Sequence, residues 1–309
     1  MAGAMIDVAA GLRYFDLNYL GVPSVIATAA LGDAQTGVAL VDPGPAVSLP
    51  VLRAALANRG LGVADVTAVL LTHIHLDHAG ASGTLVRENP SITVHVHERG
   101  ARHMIDPTKL LDSATRLYGA EMDRLGGEFL PVPAANVRVL TGGERLEVAG
   151  RTLQVAYTPG HASHHVSYLD TASGVAFVGD TAGGRIGASS YVMPPTPPPD
   201  IDLDLWAASV EQLRAWQPSA LFLTHFGPSP TPPTAHLDEL MERLHRVAAI
   251  ARRALDAGAD DAAQAEHFRD EMRLELRRHM PEEEARAYEL AIPLDHCFLG
   301  LARYWRKRA

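Results

Sequence analysis

One cysteine, Cys297, stands in 309 residues. It has no partner for an internal disulfide and cannot build a cysteine-rich zinc site, so any metal must be held by histidine and carboxylate. Positive charge is also scarce. The 27 Lys and Arg face 36 Asp and Glu, for a net charge of −9, which opposes attraction to a phosphate backbone and sets nucleic acid aside as an expected partner. No window approaches the ~18 apolar residues of a membrane span. The opening MAGAMIDVAAGLRYF lacks the basic stretch and long apolar run of a secretion signal. The expectation is a soluble, cytoplasmic protein with no membrane partner.

With 47% hydrophobic and 20% charged residues, the chain has an ordinary globular composition, and its length suffices for one large domain with an appendage. Short apolar runs broken by Gly, Pro and Asp predict strands in LRYFDLNYL, SVIATAAL, GVALV, VTAVLL and SITVHVHE. Helices are predicted over Leu49 to Asn58 and Ala81 to Glu88, and over Ala101 to Leu125 with a break near Asp106-Pro107. Further strands are expected near 137–140, 152–156, 165–169 and 175–178. The alternation argues α/β, and the density of short strands suggests two sheets. Pro194 to Pro199 cannot join a sheet interior and predicts an extended loop. After a second proline-rich patch, Pro228 to Pro233, the rest is helical by period: about 235–255, 262–279, 282–289 and 296–307. We therefore place a boundary near residue 230, with a helical extension at 231–309 read as a cap or the contact of a homodimer.

The chemistry concentrates in LTHIHLDHAG, Leu71 to Gly80, directly after the apolar VTAVLL. In an extended segment His73 and His75 project to one side, and Asp77 and His78 can turn back to the same point. Four other apolar strands also end in a lone polar group: VALVD (Asp42), VAYTPGH (His161), VAFVGD (Asp180) and LFLTH (His225). Loops at strand ends are where α/β enzymes build their sites. One such aspartate alone is an ordinary turn or cap; five segments in this order point to a metal. Imidazole and carboxylate suit zinc, iron or manganese.

These five motifs together resemble the metallo-β-lactamase superfamily, over about residues 11 to 230. The resemblance implies a four-layer αββα sandwich with a metal pair along one edge and a C-terminal helical extension. By motif, His73, His75 and His161 resemble the ligands of a first metal, Asp77, His78 and His225 those of a second, and Asp180 the bridge. Asp42 matches an aspartate that supports the ligand loop. His165 matches a second histidine often found four positions on, while His164 stands where many relatives carry glycine. Two divalent ions, zinc first and iron or manganese next, would share a bridging hydroxide, with Asp77 orienting it and shuttling its proton, and Asp180 as the other catalytic carboxylate.

The chain departs from several branches of that superfamily. Thiolate-using β-lactamases need cysteine where Asp180 stands, and flavin-linked di-iron reductases replace the histidine at His75 with glutamate. Small-molecule hydrolases similar to glyoxalase II and the acyl-homoserine lactonases remain, so the expected substrate is a small thioester, ester or lactone. The lactonase tyrosine that follows the bridging aspartate is absent, since Thr181 to Arg185 read ThrAlaGlyGlyArg. Tyr191 and Met193 are expected to line the substrate cleft. The alternative is a mononuclear iron oxidoreductase similar to persulfide dioxygenases, held by His73, His161 and Asp180.

Overall fold

Strand residues that alternate between two apolar surroundings require a layer on each side of the sheet. In the computed structural model, which describes residues 5–187, 189–257 and 260–308, the first sheet behaves this way. Ala39, Val41, Ala68 and Leu70 enter one apolar cluster, while Val38, Leu40 and Val69 enter another. The first cluster also takes Leu153, Val155, Tyr168, Phe177 and Phe222 from the second sheet. It is therefore the inter-sheet core, and the second cluster packs helices on the outer faces. Helix, sheet, sheet and helix make the expected αββα sandwich.

The first sheet runs in sequence order through β1 (Met5–Ala9), β2 (Leu12–Asp16), β3 (Ala27–Asp33), β4 (Gly37–Val41), β5 (Val66–Leu70), β6 (Thr93–His97) and β7 (Val137–Leu140). Its pairs are antiparallel up to β4 and parallel from there. The second sheet comprises β8 (Arg145–Val148), β9 (Arg151–Tyr157), β10 (Val166–Asp170), β11 (Val175–Phe177), β12 (Ala220–Leu223) and β13 (Gly227–Pro228), in the order β13-β12-β11-β10-β9-β8. Only β11 and β12 pair in parallel there.

Parallel neighbours need crossovers. These are α1 (Leu49–Ala57), then α2 (Leu76–Ala79) with α3 (Ser82–Glu88), then α4 (Glu98–Ile105), α5 (Thr108–Tyr118) and α6 (Met122–Leu125), and in the second half α7 (Leu203–Ala215). Four helices follow: α8 (Pro233–Ala257), α9 (Asp261–Arg277), α10 (Glu282–Ala291) and α11 (Leu294–Arg306). Their apolar faces, with Leu240, Leu244, Phe268, Tyr288 and Phe298, share the outer core of the sandwich. Among the described residues no helix is long and apolar enough to cross a membrane.

Two differences from the expected elements have local causes. The strand read through Leu20 stops at Asp16, whose carboxylate accepts from the backbone N–H groups of Asn18 and Ser24 and turns the chain away. β1 and β8 are edge strands not expected from the sequence: β8 alternates a buried Leu146 with exposed Arg145 and Glu147, and β1 leaves Ile6 and Asp7 exposed.

Candidate metal centre

The parallel pairs β4/β5 and β11/β12 bring their C-terminal ends to one edge of the sandwich, and the polar residues sit just past those ends. Asp42 follows β4, the His73 to His78 segment follows β5, Asp180 lies three residues past β11, and His225 two past β12. His161 comes from the loop after β9, held by Asp202 N–H donating to the Gly160 carbonyl at 2.9 Å. Gly160 has φ +134°, and a Cβ there would stand 2.3 Å from the Trp206 Cα. Only glycine lets this loop lie against α7.

The donor atoms fall into two groups. In the first, the His75 Nδ1 lies 2.9 Å from the His73 Nε2 and 3.1 Å from the His161 Nε2. The Asp180 Oδ2 closes that group at 3.4 Å from His161 and 4.0 Å from His73. In the second, the Asp77 Oδ2 is 3.2 Å from the His225 Nε2 and 3.7 Å from the His78 Nε2. The other oxygen of Asp180, Oδ1, lies 3.3 Å from His78 and 3.7 Å from His225. One carboxylate thus offers an oxygen to each group.

Four of the five donor imidazoles have their remote nitrogen fixed. The His161 Nδ1 donates to the Pro195 carbonyl at 2.8 Å and the His225 Nδ1 to the Val25 carbonyl at 2.9 Å. The His78 Nδ1 donates to the Asp42 Oδ2 at 2.8 Å. The Thr72 hydroxyl gives its proton to Asp42, leaving its oxygen to accept from the His73 Nδ1 at 3.1 Å. In all four, the proton on Nδ1 leaves Nε2 as the nitrogen that faces inward, the one that would bind a metal.

Asp42, fully buried, also accepts from the Thr72 N–H and the Thr224 hydroxyl. His165 is not a ligand: its Nε2 accepts from the Asp180 N–H at 3.2 Å, and its Nδ1 faces the hydroxyls of Thr158 and Thr181. His164 stacks parallel to His73 with ring centroids 6.1 Å apart, and its buried Nδ1 has no hydrogen-bond partner among the described residues.

The two groups differ electrostatically. Burial, then the neighbouring imidazoles His78 and His75, hold His73 well below the usual histidine range, and burial with His161 pushes His75 down to about 3. Burial opposes charge on His78 as well, but Asp180, Asp77 and Asp42 outweigh it and hold its pKa well above the ordinary value. The second group is thus more strongly negative. Burial likewise disfavours ionised Asp180, yet His78, His225 and His161 keep its pKa well below the carboxylate range.

These residues fit a pair of divalent cations. The His78 Nε2 and the Asp180 Oδ1 are buried 3.3 Å apart with no hydrogen-bond partner among the described residues, and the carboxylates that raise the His78 pKa favour a cation placed among them. Ligands about 2.0–2.2 Å from one tetrahedral metal stand roughly 3.3 Å apart. The two groups contain His73, His75, Asp77, His78, His161, Asp180 and His225, while Asp42 contacts His78 and His165 contacts the Asp180 backbone.

Tyr191 and Met193 do not line the main cavity beside this centre. Tyr191 is buried under the C-terminal helices, with the Tyr288 hydroxyl donating to its carbonyl and the Arg243 guanidinium 4.4 Å from its ring. Met193 is buried and pairs its backbone with Gly184. The apolar run that holds them packs the helical extension onto the sandwich and, contrary to expectation, does not line this cleft. A cavity of about 720 Å³ opens instead beside His75, between α4, α5, the His164 loop and Pro197 to Asp200. Tyr118 lines both this cavity and a small one of about 40 Å³ that reaches Asp77 and His225. The α4–α5 wall carried no sign of the site in sequence, because it is an ordinary amphipathic crossover whose position depends on the β6/β7 pairing.

Residues 25–225 match the model of the metallo-beta-lactamase superfamily. Among curated proteins, the chain is 28% identical over 179 residues to the metallo-beta-lactamase fold-containing protein ST1585 of Sulfurisphaera tokodaii, across 57% of this chain and 66% of that one. It is 35% identical over 148 residues to a hydroxyacylglutathione hydrolase of Synechococcus sp., across 47% of this chain and 45% of the relative. The match therefore spans less than two thirds of either relative. Among solved structures, metallo-beta-lactamase family protein TTHA1429 of Thermus thermophilus superposes with a TM-score of 0.70 at 24% identity, covering 98% of this chain and 95% of that one. A likeness at this identity speaks for the fold.

Proposed function

We propose, because the chain belongs to the metallo-β-lactamase superfamily, that it is a dinuclear metal-dependent hydrolase of a small-molecule thioester, ester or lactone. The observation that carries this is Asp180, with one oxygen toward His73, His75 and His161 and the other toward Asp77, His78 and His225. Superfamily members are mostly metal-dependent hydrolases, and relatives include hydroxyacylglutathione hydrolases.

When bound, two divalent ions supply a water acidified toward neutral pH and a Lewis-acid surface for the scissile carbonyl. The chain's own residues do the rest. His73, His75 and His161 would hold one ion and Asp77, His78 and His225 the other, with Asp180 offering an oxygen to each group. Zinc is the first choice for this donor set, with iron or manganese next. Asp77 has the most exposed side chain of the two carboxylates, 29% against 5% for Asp180. It is the group placed to take a proton from the attacking water on its Oδ and return it to the leaving oxygen or sulfur.

The test is metal content per chain after purification without chelator, followed by turnover of a thioester, ester and lactone panel against chelator-stripped protein. Two divalent ions and metal-dependent hydrolysis of one class support the reading. One iron per chain with oxygen consumed on a persulfide would replace it with the mononuclear oxidoreductase.

A further inference from the structure

The cavity beside His75 has a wall of unusual charge. Helical spacing turns Arg99 and Arg102 of α4 and Lys109 of α5 toward the same space. In a chain of net charge −9, basic side chains are usually claimed: Arg151 by Asp170, Arg214 by Asp238, Arg273 by Glu289. Arg99, Arg102 and Lys109 form no ion pair among the described residues. Arg102 only reaches the His103 Nε2 at 3.1 Å, and Arg99 only approaches the Tyr157 ring, at 5.9 Å.

Two carboxylates share this lining, Glu98 and Asp200. Asp200 already accepts the Ser163 hydroxyl, and neither ion-pairs with the three cations. At about 720 Å³ the space suits a small organic molecule, and His75 in its lining puts one end of that molecule at the first donor group. A cationic mouth on an otherwise acidic protein focuses anions onto the opening.

We infer that Arg99, Arg102 and Lys109 form an anion subsite, so that the substrate is an ester or thioester bearing a carboxylate or phosphate remote from its scissile carbonyl. This rests on the hydrolase reading above. Guanidinium and ammonium groups supply charge-assisted hydrogen bonds to such an oxyanion while the carbonyl lies at the metal centre. The anion positions the molecule and takes no part in bond breaking.

The experiment compares matched probes on the metal-loaded full chain. On the acyl side these are the N-acetylcysteamine thioesters of succinate and of its neutral ω-amide. On the thiol side they are the butyryl thioesters of mercaptopropionate and mercaptopropionamide, and the butyryl thioester of 2-mercaptoethyl phosphate tests phosphate against carboxylate. For at least one pair the anionic member should show about tenfold higher kcat/KM, mainly through KM. That ratio should fall with added salt and collapse toward one in an Arg99→Gln, Arg102→Gln, Lys109→Gln variant.

Equal turnover within every pair, or a ratio the variant leaves unmoved, overturns the subsite while leaving the hydrolase reading intact. If neither these probes nor the ester and lactone panel above is hydrolysed, that reading fails instead, and calorimetric titration with N-butylsuccinamate and its neutral diamide decides the subsite. Binding that needs the charge and is lost in the variant supports it; binding indifferent to charge, or none, overturns it.

Discussion

The imidazole of His78 reaches the carboxylate of Asp42 across 2.8 Å, with both side chains fully buried. The same carboxylate holds Thr72 and Thr224, the residues just before His73 and His225. Asp42 therefore aligns three donors through one group. Asp42→Asn substitutes an amide that brings two donors of its own into a ring of donors. We expect metal affinity to fall about 10- to 100-fold, most at the second donor group, measured by competition with a chromophoric chelator.

Replacing the bridge should act on both groups unequally. Asp180→Asn keeps the side-chain shape but removes the charge facing His78 and His225. The expected result is about one metal per chain and a loss of turnover on the order of a hundredfold or more, read by metal analysis and initial rates. Asp180→Asn with two metals and full activity would sink the dinuclear hydrolase.

Gly160→Ala tests how the His161 loop is seated. The new Cβ would fall within 2.5 Å of the Trp206 backbone nitrogen, and the positive φ adds strain. Unfolding in urea should show a loss of more than about 3 kcal/mol, with lower metal occupancy as His161 is displaced.

The stability of the fold should also fall in acid through a histidine away from the metal centre. His236 is fully buried, its Nε2 donating to the Ala182 carbonyl at 2.8 Å and its Nδ1 accepting from the Ser229 hydroxyl. Burial pushes its pKa down to about 4. The unfolded chain takes up this proton near pH 6.5 and the folded chain only near 4, so its stabilising effect is complete above 6.5 and is lost as pH falls toward 4. The effect is on the order of 3 kcal/mol. His236→Gln keeps a donor to Ala182 without the titration, and should flatten the pH dependence of the urea midpoint between pH 7 and 4.5 relative to wild type.

The donor set was readable in the sequence because each ligand directly follows an apolar run. Strand ends are local features, and parallel pairing then gathers them. Tyr191 and Met193 were misplaced for the converse reason. Ile186, Tyr191, Val192 and Met193 form an apolar stretch whose partner, Tyr288 on α10, lies almost a hundred residues on, and an apolar segment does not announce whether a ligand or a helix covers it. Arg99, Arg102 and Lys109 were illegible because a basic residue on a helix is ordinarily solvated, and only the packing of α4 and α5 sets three of them around one opening.

The donors are unevenly divided along the polypeptide. His73, His75, Asp77 and His78 come from the sheet made first, whereas His161, Asp180 and His225 belong to the second. Neither half carries a complete group, so the centre is a seam. In chain order, His161 and Asp180 complete the first group and His225 completes the second. An ion held there would draw ligands from both sheets and so would tie the two halves together.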